Sequence, residues 1–321
     1  MNIVIANYLS ESQFSIRALD AKQDLLAAQL DIGKFCVAAD QALFTKVCLQ
    51  DRAFNYGDGC FTTIYGESTQ VFLLNEHLQR LARDCHKLSI GLCLNTLQAW
   101  LLLALKCMIT KSHAAYAVKI LVSRGVGGRG YELPTQLNTS VVVSISPCLV
   151  SKPLSIQRGY EYTIKQANMT LSSQTLLAGI KHNNRLEQVL AKRELQQYDC
   201  NDLVLCDNTG ILIEATAANI FYQKDGVWFT PQIMHCGVGG VMRDTVIAFF
   251  QSVGVRCEIN ASPFSELLNA DAVFLCNAIK FIIPVSAIVL NDKEHPFTLW
   301  EVSALAFDLH EWIGKHHKVE F

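Results

Sequence analysis

The chain has 321 residues, half of them hydrophobic and 17% charged, and its 27 basic and 29 acidic side chains leave a formal net charge of −2. A length beyond what one core usually fills predicts two domains, and the apolar content excludes global disorder. So small a net charge supplies no field to draw nucleic acid or an anionic membrane surface.

Residues 1–32 stand apart. They open MNIVIANYLSES, without the basic start, apolar core and small-residue cleavage site of a secretory leader. Ser15–Leu30 fits one amphipathic helix and equally a loosely attached extension. A small α/β domain is expected over 33–147. Cys60–Tyr65 and Gln70–Leu74 read as short strands joined by the turn Gly66-Glu67-Ser68-Thr69. Asn75 reads as the cap of a helix whose Leu78, Leu81, Ala82, Cys85 and Leu88 share one face. A second helix covers Thr96–Ile109; its apolar run from Leu97 is too short to span a bilayer and is broken by Lys106. Strands follow at Ala117–Ser123 and Ser140–Ser146, and the prolines of Pro147–Pro153 place a linker at 148–154.

A larger domain is expected over 155–321, giving an α+β protein. It opens with a strand near Tyr160–Gln166 and a helix over Asn184–Tyr198 with Leu186, Val189 and Leu190 on one side. A β-meander follows through Leu203–Cys206, Ile211–Glu214, Ala218–Gln223 and Val227–Thr230. Gly237-Val238-Gly239-Gly240 then feeds a helix with Met242, Val246, Phe249, Phe250 and Val253 on one stripe, closed by Gly254. The twelve cysteines stand singly, with no Cys-x-x-Cys pair, as expected of reduced thiols used as small hydrophobes. A soluble cytosolic protein is expected.

Gly125-Val126-Gly127-Gly128-Arg129-Gly130 matches G-x-G-x-x-G, but Pro134 follows and no acidic residue lies between Leu133 and Tyr160, against a dinucleotide fold. The loop is either a flexible turn or a carrier of Arg124 or Arg129 toward an anionic substrate. No metal-ligand spacing and no nucleophile elbow occur, so no metal is expected. The 237–240 glycines fit an ordinary turn; they also fit backbone N–H groups converging on a phosphate at a helix start. Lys181 follows Gly179-Ile180 just before a helix, where a partly desolvated amine has a lowered pKa and becomes a usable nucleophile, although a solvated surface lysine is the ordinary reading. Glu214 ends the apolar run Ile211-Leu212-Ile213, so it needs a partner: a backbone N–H, an arginine, or a cationic ring nitrogen.

Four segments occur in order: Asp51–Phe61 (DRAFNYGDGCF), the Lys181 segment AGIKHNNRLEQVL, Glu214-x4-Asn219, and Gly240-Val241-Met242-Arg243. Together they resemble the fold-type IV pyridoxal-phosphate enzymes, the group of branched-chain and D-amino acid aminotransferases. With DGCFTT (Asp58–Thr63), SRGVGGRGY (Ser123–Tyr131) and GVGGVMR (Gly237–Arg243), the wording is most similar to the aminodeoxychorismate lyases of that group. The resemblance runs from about Phe35 to Pro284; Tyr65 stands where some of those lyases carry an arginine.

The resemblance implies a two-domain fold with pyridoxal 5'-phosphate in the cleft between domains. It implies that Lys181 holds the cofactor covalently and later moves the proton, while Glu214 keeps the pyridine nitrogen protonated. It gives Arg52 to the phosphate as a planar fork, with the N–H groups of Val241 and Met242 and with Asn219, Asn277 and Ala278 around the cofactor. Arg129 and Tyr131 are the residues expected to read the carboxylates of aminodeoxychorismate. The implied reaction is elimination to 4-aminobenzoate and pyruvate, in folate biosynthesis, by a homodimer. Rival readings are an aminotransferase of the same fold and a cofactor- or phosphate-binding protein without turnover.

Overall fold

The structure is a computed structural model that describes residues 2–7, 48–109, 114–136, 139–148, 161–291 and 293–321. The helix expected at 15–30 and most of the expected linker lie outside the described residues. Segments Met1–Ser151, Lys181–Asn184 and Lys318–Phe321 form one compact unit; Lys152–Ile180 and Arg185–His317 form a second. Lys181–Asn184 thus belongs to the first unit although the second flanks it in sequence.

The first unit is built on a six-stranded sheet. Its strands are β1 (Asn2–Asn7), β2 (Gly59–Glu67), β3 (Gln70–Phe72), β4 (Ala115–Ser123), β5 (Ser140–Pro147) and the strand Lys318–Glu320, in the order β1-β5-β4-β2-β3 and then Lys318–Glu320. β1 runs parallel to β5, so the start of the 1–32 stretch is an edge of this sheet. β2 pairs antiparallel with β4 from Gly59↔Ser123 to Glu67↔Ala115, and a two-residue turn at Ser68-Thr69 joins it to β3. Period-2 alternation holds in β4, where Tyr116, Val118, Ile120 and Val122 are buried and Lys119 is exposed.

Helices α1 (Arg52–Tyr56), α2 (Leu74–Lys87) and α3 (Leu94–Met108) complete the unit. Asn75 does not cap α2: Leu73 stands at its start in left-handed backbone (φ 58) with no side-chain cap, and its carbonyl takes the His77 N–H. The expected apolar face is real, with Leu78, Leu81 and Cys85 buried, but His77, Arg80 and Asp84 are buried as well. They fall one turn apart along the helix, a polar stripe beside an apolar one.

The second unit has two five-stranded sheets. One, in the order β11-β10-β9-β12-β13, comprises β9 (Asn219–Lys224), β10 (Val227–Pro231), β11 (Cys257–Asn260), β12 (Ala272–Asn277) and β13 (Phe281–Val285). The other, β15-β14-β6-β7-β8, comprises β6 (Thr163–Leu171), β7 (Asp202–Asp207), β8 (Leu212–Ala215), β14 (Ala287–Leu290) and β15 (Lys293–Pro296). The expected meander is therefore split: β7 and β8 pair in one sheet, β9 and β10 in the other, with the crossing at Thr216–Ala218. Ile164, Val204, Leu212, Ile220, Val273, Leu275, Ile283 and Val285 form one core cluster drawn from both sheets. Phe221, Trp228 and Phe274 make a second layer with Phe250 of α5 (Val241–Ser252), the Phe221 and Phe274 rings stacked at 4.9 Å. With cover on both faces, β9 and β12 read as continuous apolar runs (IFY, AVFLC) and do not alternate.

Helix α4 is Leu186–Leu195, and its expected apolar side faces outward: Leu186 is 74%, Val189 59% and Leu190 46% exposed. Its inner face is Gln188, Ala191 and Leu195, about half a turn round from the apparent stripe. Helix α6 (Trp300–His316) closes the unit with Val302, Leu309 and Ile313 buried. Among the described residues no helix is long and apolar enough to cross a membrane.

The α2 stripe has a measurable signature in solution. Burial, together with the Arg80 and Lys181 charges, holds the His77 pKa well below its ordinary value. Folded His77 then refuses a proton that the unfolded chain accepts near pH ~6.5. Its contribution is fully present above that pH and declines on acidification by up to about 1.4 kcal/mol per pH unit, until the folded pKa is reached. We expect the urea midpoint of the protein to fall between pH 7 and 5 more steeply than that of His77→Gln; parallel profiles would refute this role.

Candidate functional site

In the first unit, Lys181 is fixed through its backbone. Its carbonyl accepts the Phe61 N–H of β2 at 2.9 Å, and its own N–H donates to Asp84 Oδ2 of α2 at 3.2 Å. His182 bridges antiparallel to Cys60, and the Asn183 N–H donates to the Gly59 carbonyl at 3.0 Å, so 181–183 run as a short strand beside β2. The Lys181 Nζ lies 4.7 Å from the centre of the Phe61 ring, a cation–π distance.

The polar stripe of α2 gathers here. Arg80 Nη2 donates to the Phe61 carbonyl at 3.2 Å and to Thr62 Oγ1, and Thr62 Oγ1 is 2.6 Å from His77 Nδ1. Burial pushes the Asp84 carboxyl up, while the Arg80 charge and the Lys181 N–H pull it down. Thr62, His77, Arg80 and Asp84 were not singled out from the sequence. Their signal was present: polar residues at i, i+3 and i+7 beside the Leu78, Leu81, Cys85 face mark a helix that buries polar groups.

Arg52 is buried, but it does not present a fork. Its Nε is committed to Asp58 Oδ2 at 2.8 Å, and its Nη1 to the carbonyls of Gly127, Gly130 and Glu132 at 3.0–3.3 Å. Two of the three Arg52 nitrogens thus have protein partners, where the expectation was a planar fork given to a phosphate. Those carbonyls belong to the glycine-rich loop, where Arg129 and Tyr131 are both exposed, Tyr131 by 86%. Among the described residues no helix opens from this loop; irregular backbone leads toward β5.

In the second unit, Glu214 sits on β8 and is 4% exposed. Its Oε2 accepts the Val238 N–H at 2.8 Å and its Oε1 accepts Gln188 Nε2 of α4 at 3.3 Å. Asn219 Nδ2 donates to the Val238 carbonyl at 2.8 Å, so Val238 is held on both sides by residues the sequence had marked. The Gly179 N–H donates to the Gly237 carbonyl, and the Gly239 N–H to the Gly179 carbonyl, each at 3.0 Å. This laces the glycine cluster to the segment just before Lys181.

Helix α5 then opens at Val241 with Gly240 at the cap position and no side chain capping it. Its first intrahelical N–H is that of Asp244, donating to the Gly240 carbonyl at 3.1 Å, which places the N–H groups of Val241 and Met242 at the positive end of the helix. A Cβ on Gly240 would fall 2.0 Å from Asn219 Oδ1, so only glycine allows that approach. Asn277 is committed locally: its Oδ1 accepts the Ile279 and Lys280 N–H groups at 3.0 and 2.8 Å, and its Nδ2 donates to the Ala217 carbonyl. Its side chain shapes a turn, which leaves any part in a cradle to the backbone.

Residues 59–288 match the family Amino-transferase class IV. An aminodeoxychorismate lyase from Vibrio harveyi is 36% identical over 265 residues, 81% of this chain and 93% of that protein. A putative branched-chain-amino-acid aminotransferase from Methanocaldococcus jannaschii is 29% identical, over 82% and 89% of the two chains. Among solved structures, the 4-amino-4-deoxychorismate lyase from Pseudomonas aeruginosa superposes with a TM-score of 0.73 at 30% identity, covering 86% of this chain and 96% of that one. The chain belongs to the class IV aminotransferase family and has its fold-type IV, α+β architecture.

Proposed function

We propose that this protein is an aminodeoxychorismate lyase, which eliminates pyruvate from 4-amino-4-deoxychorismate to leave 4-aminobenzoate, in folate biosynthesis. The observation that carries the reading is the 36% identity to a lyase over 81% of this chain and 93% of the relative. The family works with pyridoxal phosphate, and the residues present fit that group. It requires an amine, an anion for its ring nitrogen, and donors for its phosphate. The first unit offers Lys181 on an anchored backbone, with the buried guanidinium of Arg80 bonded to the neighbouring Phe61 and Thr62. The second offers buried Glu214 and the uncapped start of α5, where small residues let backbone N–H groups meet an anion.

When bound, pyridoxal phosphate supplies a sink for the electron pair left when the substrate carbon bearing nitrogen loses its proton. Lys181 Nζ would hold the cofactor, and as a free amine it would take up that proton. Glu214, hydrogen-bonded by the Val238 N–H and Gln188, would pair with the ring nitrogen. Val241, Met242 and Arg80 bind the phosphate, with Asn219 setting Val238 and the glycines before the helix. Arg129 and Tyr131 read the substrate carboxylates. Departure of the enolpyruvyl group makes the substrate ring aromatic, which drives the reaction, so the protein mainly positions and moves protons. The exposed Leu186, Val189 and Leu190 of α4 supply an apolar surface for a second copy, in keeping with a cytosolic homodimer. A fold-type IV aminotransferase is the second reading, favoured by the 29% identical relative from Methanocaldococcus jannaschii.

Purified protein with pyridoxal phosphate should release 4-aminobenzoate and pyruvate in equal amounts from aminodeoxychorismate; amino transfer from D- or branched-chain amino acids without that product would move the assignment to the second reading. Borohydride treatment should leave a reduced pyridoxyl group on Lys181, seen by peptide mass, and Lys181→Ala should lack it and lose roughly three orders of magnitude in kcat. An unlabelled Lys181 would favour a non-catalytic binder. Glu214→Gln should keep the cofactor and lose on the order of a hundredfold or more in turnover; undiminished turnover would remove its role. Arg80→Gln should weaken cofactor binding about 10- to 100-fold, the range for a lost charge-assisted contact, with little change from Arg52→Gln. The reverse ranking, read by equilibrium titration, would return the phosphate to Arg52.

A further inference from the structure

The glycine-rich loop has little regular structure of its own beyond a Glu132 N–H to Arg129 carbonyl turn at 3.2 Å. Gly125, Gly127, Gly128 and Gly130 all have positive φ, between 59 and 134. Glycine has the most conformational freedom to lose, so something outside the loop must hold it. Arg52 does so from two sides. Its backbone N–H donates to the Gly125 carbonyl at 3.0 Å, and its Nη1 faces the Gly127, Gly130 and Glu132 carbonyls. A Cβ on Gly128 would lie 2.1 Å from the Glu132 carbonyl oxygen and 3.2 Å from Arg52 Nη1, so the loop closes round the guanidinium only with glycine there.

Arg52 is itself held by a buried ion network. Asp58 Oδ2 accepts Arg52 Nε and Arg124 Nε, both at 2.8 Å, and Asp58 Oδ1 accepts Arg124 Nη2 at 3.1 Å. Arg124 is 5% exposed and also donates to the Leu88 and Ser89 carbonyls at the end of α2, where the helix dipole favours a cation. Removing one member of such a buried network strands the charge of the others. Asp51 completes the frame: its Oδ1 accepts the Ala53 N–H and the Ser123 hydroxyl, and it bridges Val126 across the loop base. At the far end the Tyr131 ring meets the Tyr56 ring at 5.4 Å, and Tyr56 lies under the Arg52 guanidinium at 5.0 Å.

We propose that Arg52 is a positioning residue for substrate recognition: with Asp58 and Arg124 it forms a clamp that sets loop 125–132 in the shape that presents Arg129 and Tyr131 to a substrate carboxylate. The inference rests on the reading of Arg129 and Tyr131 given above. It makes Arg52 a determinant of which anionic substrate is accepted, acting through the loop and not by touching cofactor or substrate.

Two variants test it in the cofactor-loaded enzyme. Arg52→Gln removes the clamp; Gly128→Ala leaves every charge in place but forces the loop off the guanidinium, and serves alone if Arg52→Gln does not fold. Both should raise KM for aminodeoxychorismate about tenfold or more with kcat changed by less than about threefold, the pattern of lost positioning, and with cofactor affinity unchanged. Trypsin should cut after Arg129 about tenfold faster in both than in the parent, because a released loop opens more often into the extended shape that cleavage needs. Cleavage and KM both at parent levels would overturn the clamp, and loss of cofactor affinity in Arg52→Gln with an unmoved KM would place Arg52 on the phosphate. If the parent protein makes no 4-aminobenzoate, the cleavage rates still decide the clamp and the failure falls on the functional reading alone.

Discussion

A lysine side chain reaches several ångströms and is useful for chemistry only if its backbone stays still. Here the Lys181 carbonyl is tied to β2 and its N–H to Asp84, one bond on a sheet strand and one on the helix packed against it. Much else in the first unit follows from that attachment. Asp84 is buried to make it, burial raises the cost of its charge, and Arg80 beside it offsets that cost. Arg80 in turn is held by Phe61 and Thr62, and Thr62 by His77. In the polar stripe of α2, hydrogen bonds join His77, Thr62 and Arg80, charge links Arg80 to Asp84, and Asp84 holds the anchored lysine.

The second unit solves a different problem, that of giving a buried carboxylate hydrogen-bond partners inside an apolar sheet. Glu214 lies on β8, a fully buried strand, and receives a backbone N–H and a side-chain amide. Two donors offset part of the cost of burying a carboxylate. Both donors come from elements that have their own reasons to be where they are. Val238 belongs to the glycine turn that starts α5, and Gln188 lies on the inward face of α4.

What the sequence showed and what it hid divide along physical lines. Period-2 alternation made β4 and β5 legible, and the turn residues between Asp207 and Gly210 and between Lys224 and Gly226 located the hairpins of the second unit. The split of the meander was hidden, since strands buried on both faces carry no alternation to say which sheet they join. The apolar stripe of α4 was legible, but not that it faces outward, because spacing identifies a stripe and not what covers it. Motif order located Lys181, Glu214, Asn219 and the start of α5. Arg52 was marked by motif alone, since nothing local in the sequence says which anion or carbonyl a buried arginine meets. Thr62, His77, Arg80 and Asp84 escaped because an apolar face on α2 already seemed a sufficient explanation of that helix.

The return of Lys181–Asn184 and Lys318–Glu320 to the first unit has a consequence for how the molecule is made. β2 borders a segment that follows the whole of β6, and β3 borders a strand that follows the entire second unit. During vectorial synthesis the early sheet therefore carries unsatisfied strand neighbours until much later parts of the chain have emerged. Such pairings close long loops and come late and slowly. The unit that is first in sequence is the one finished last, and Lys181 is seated only when the polypeptide has doubled back on itself.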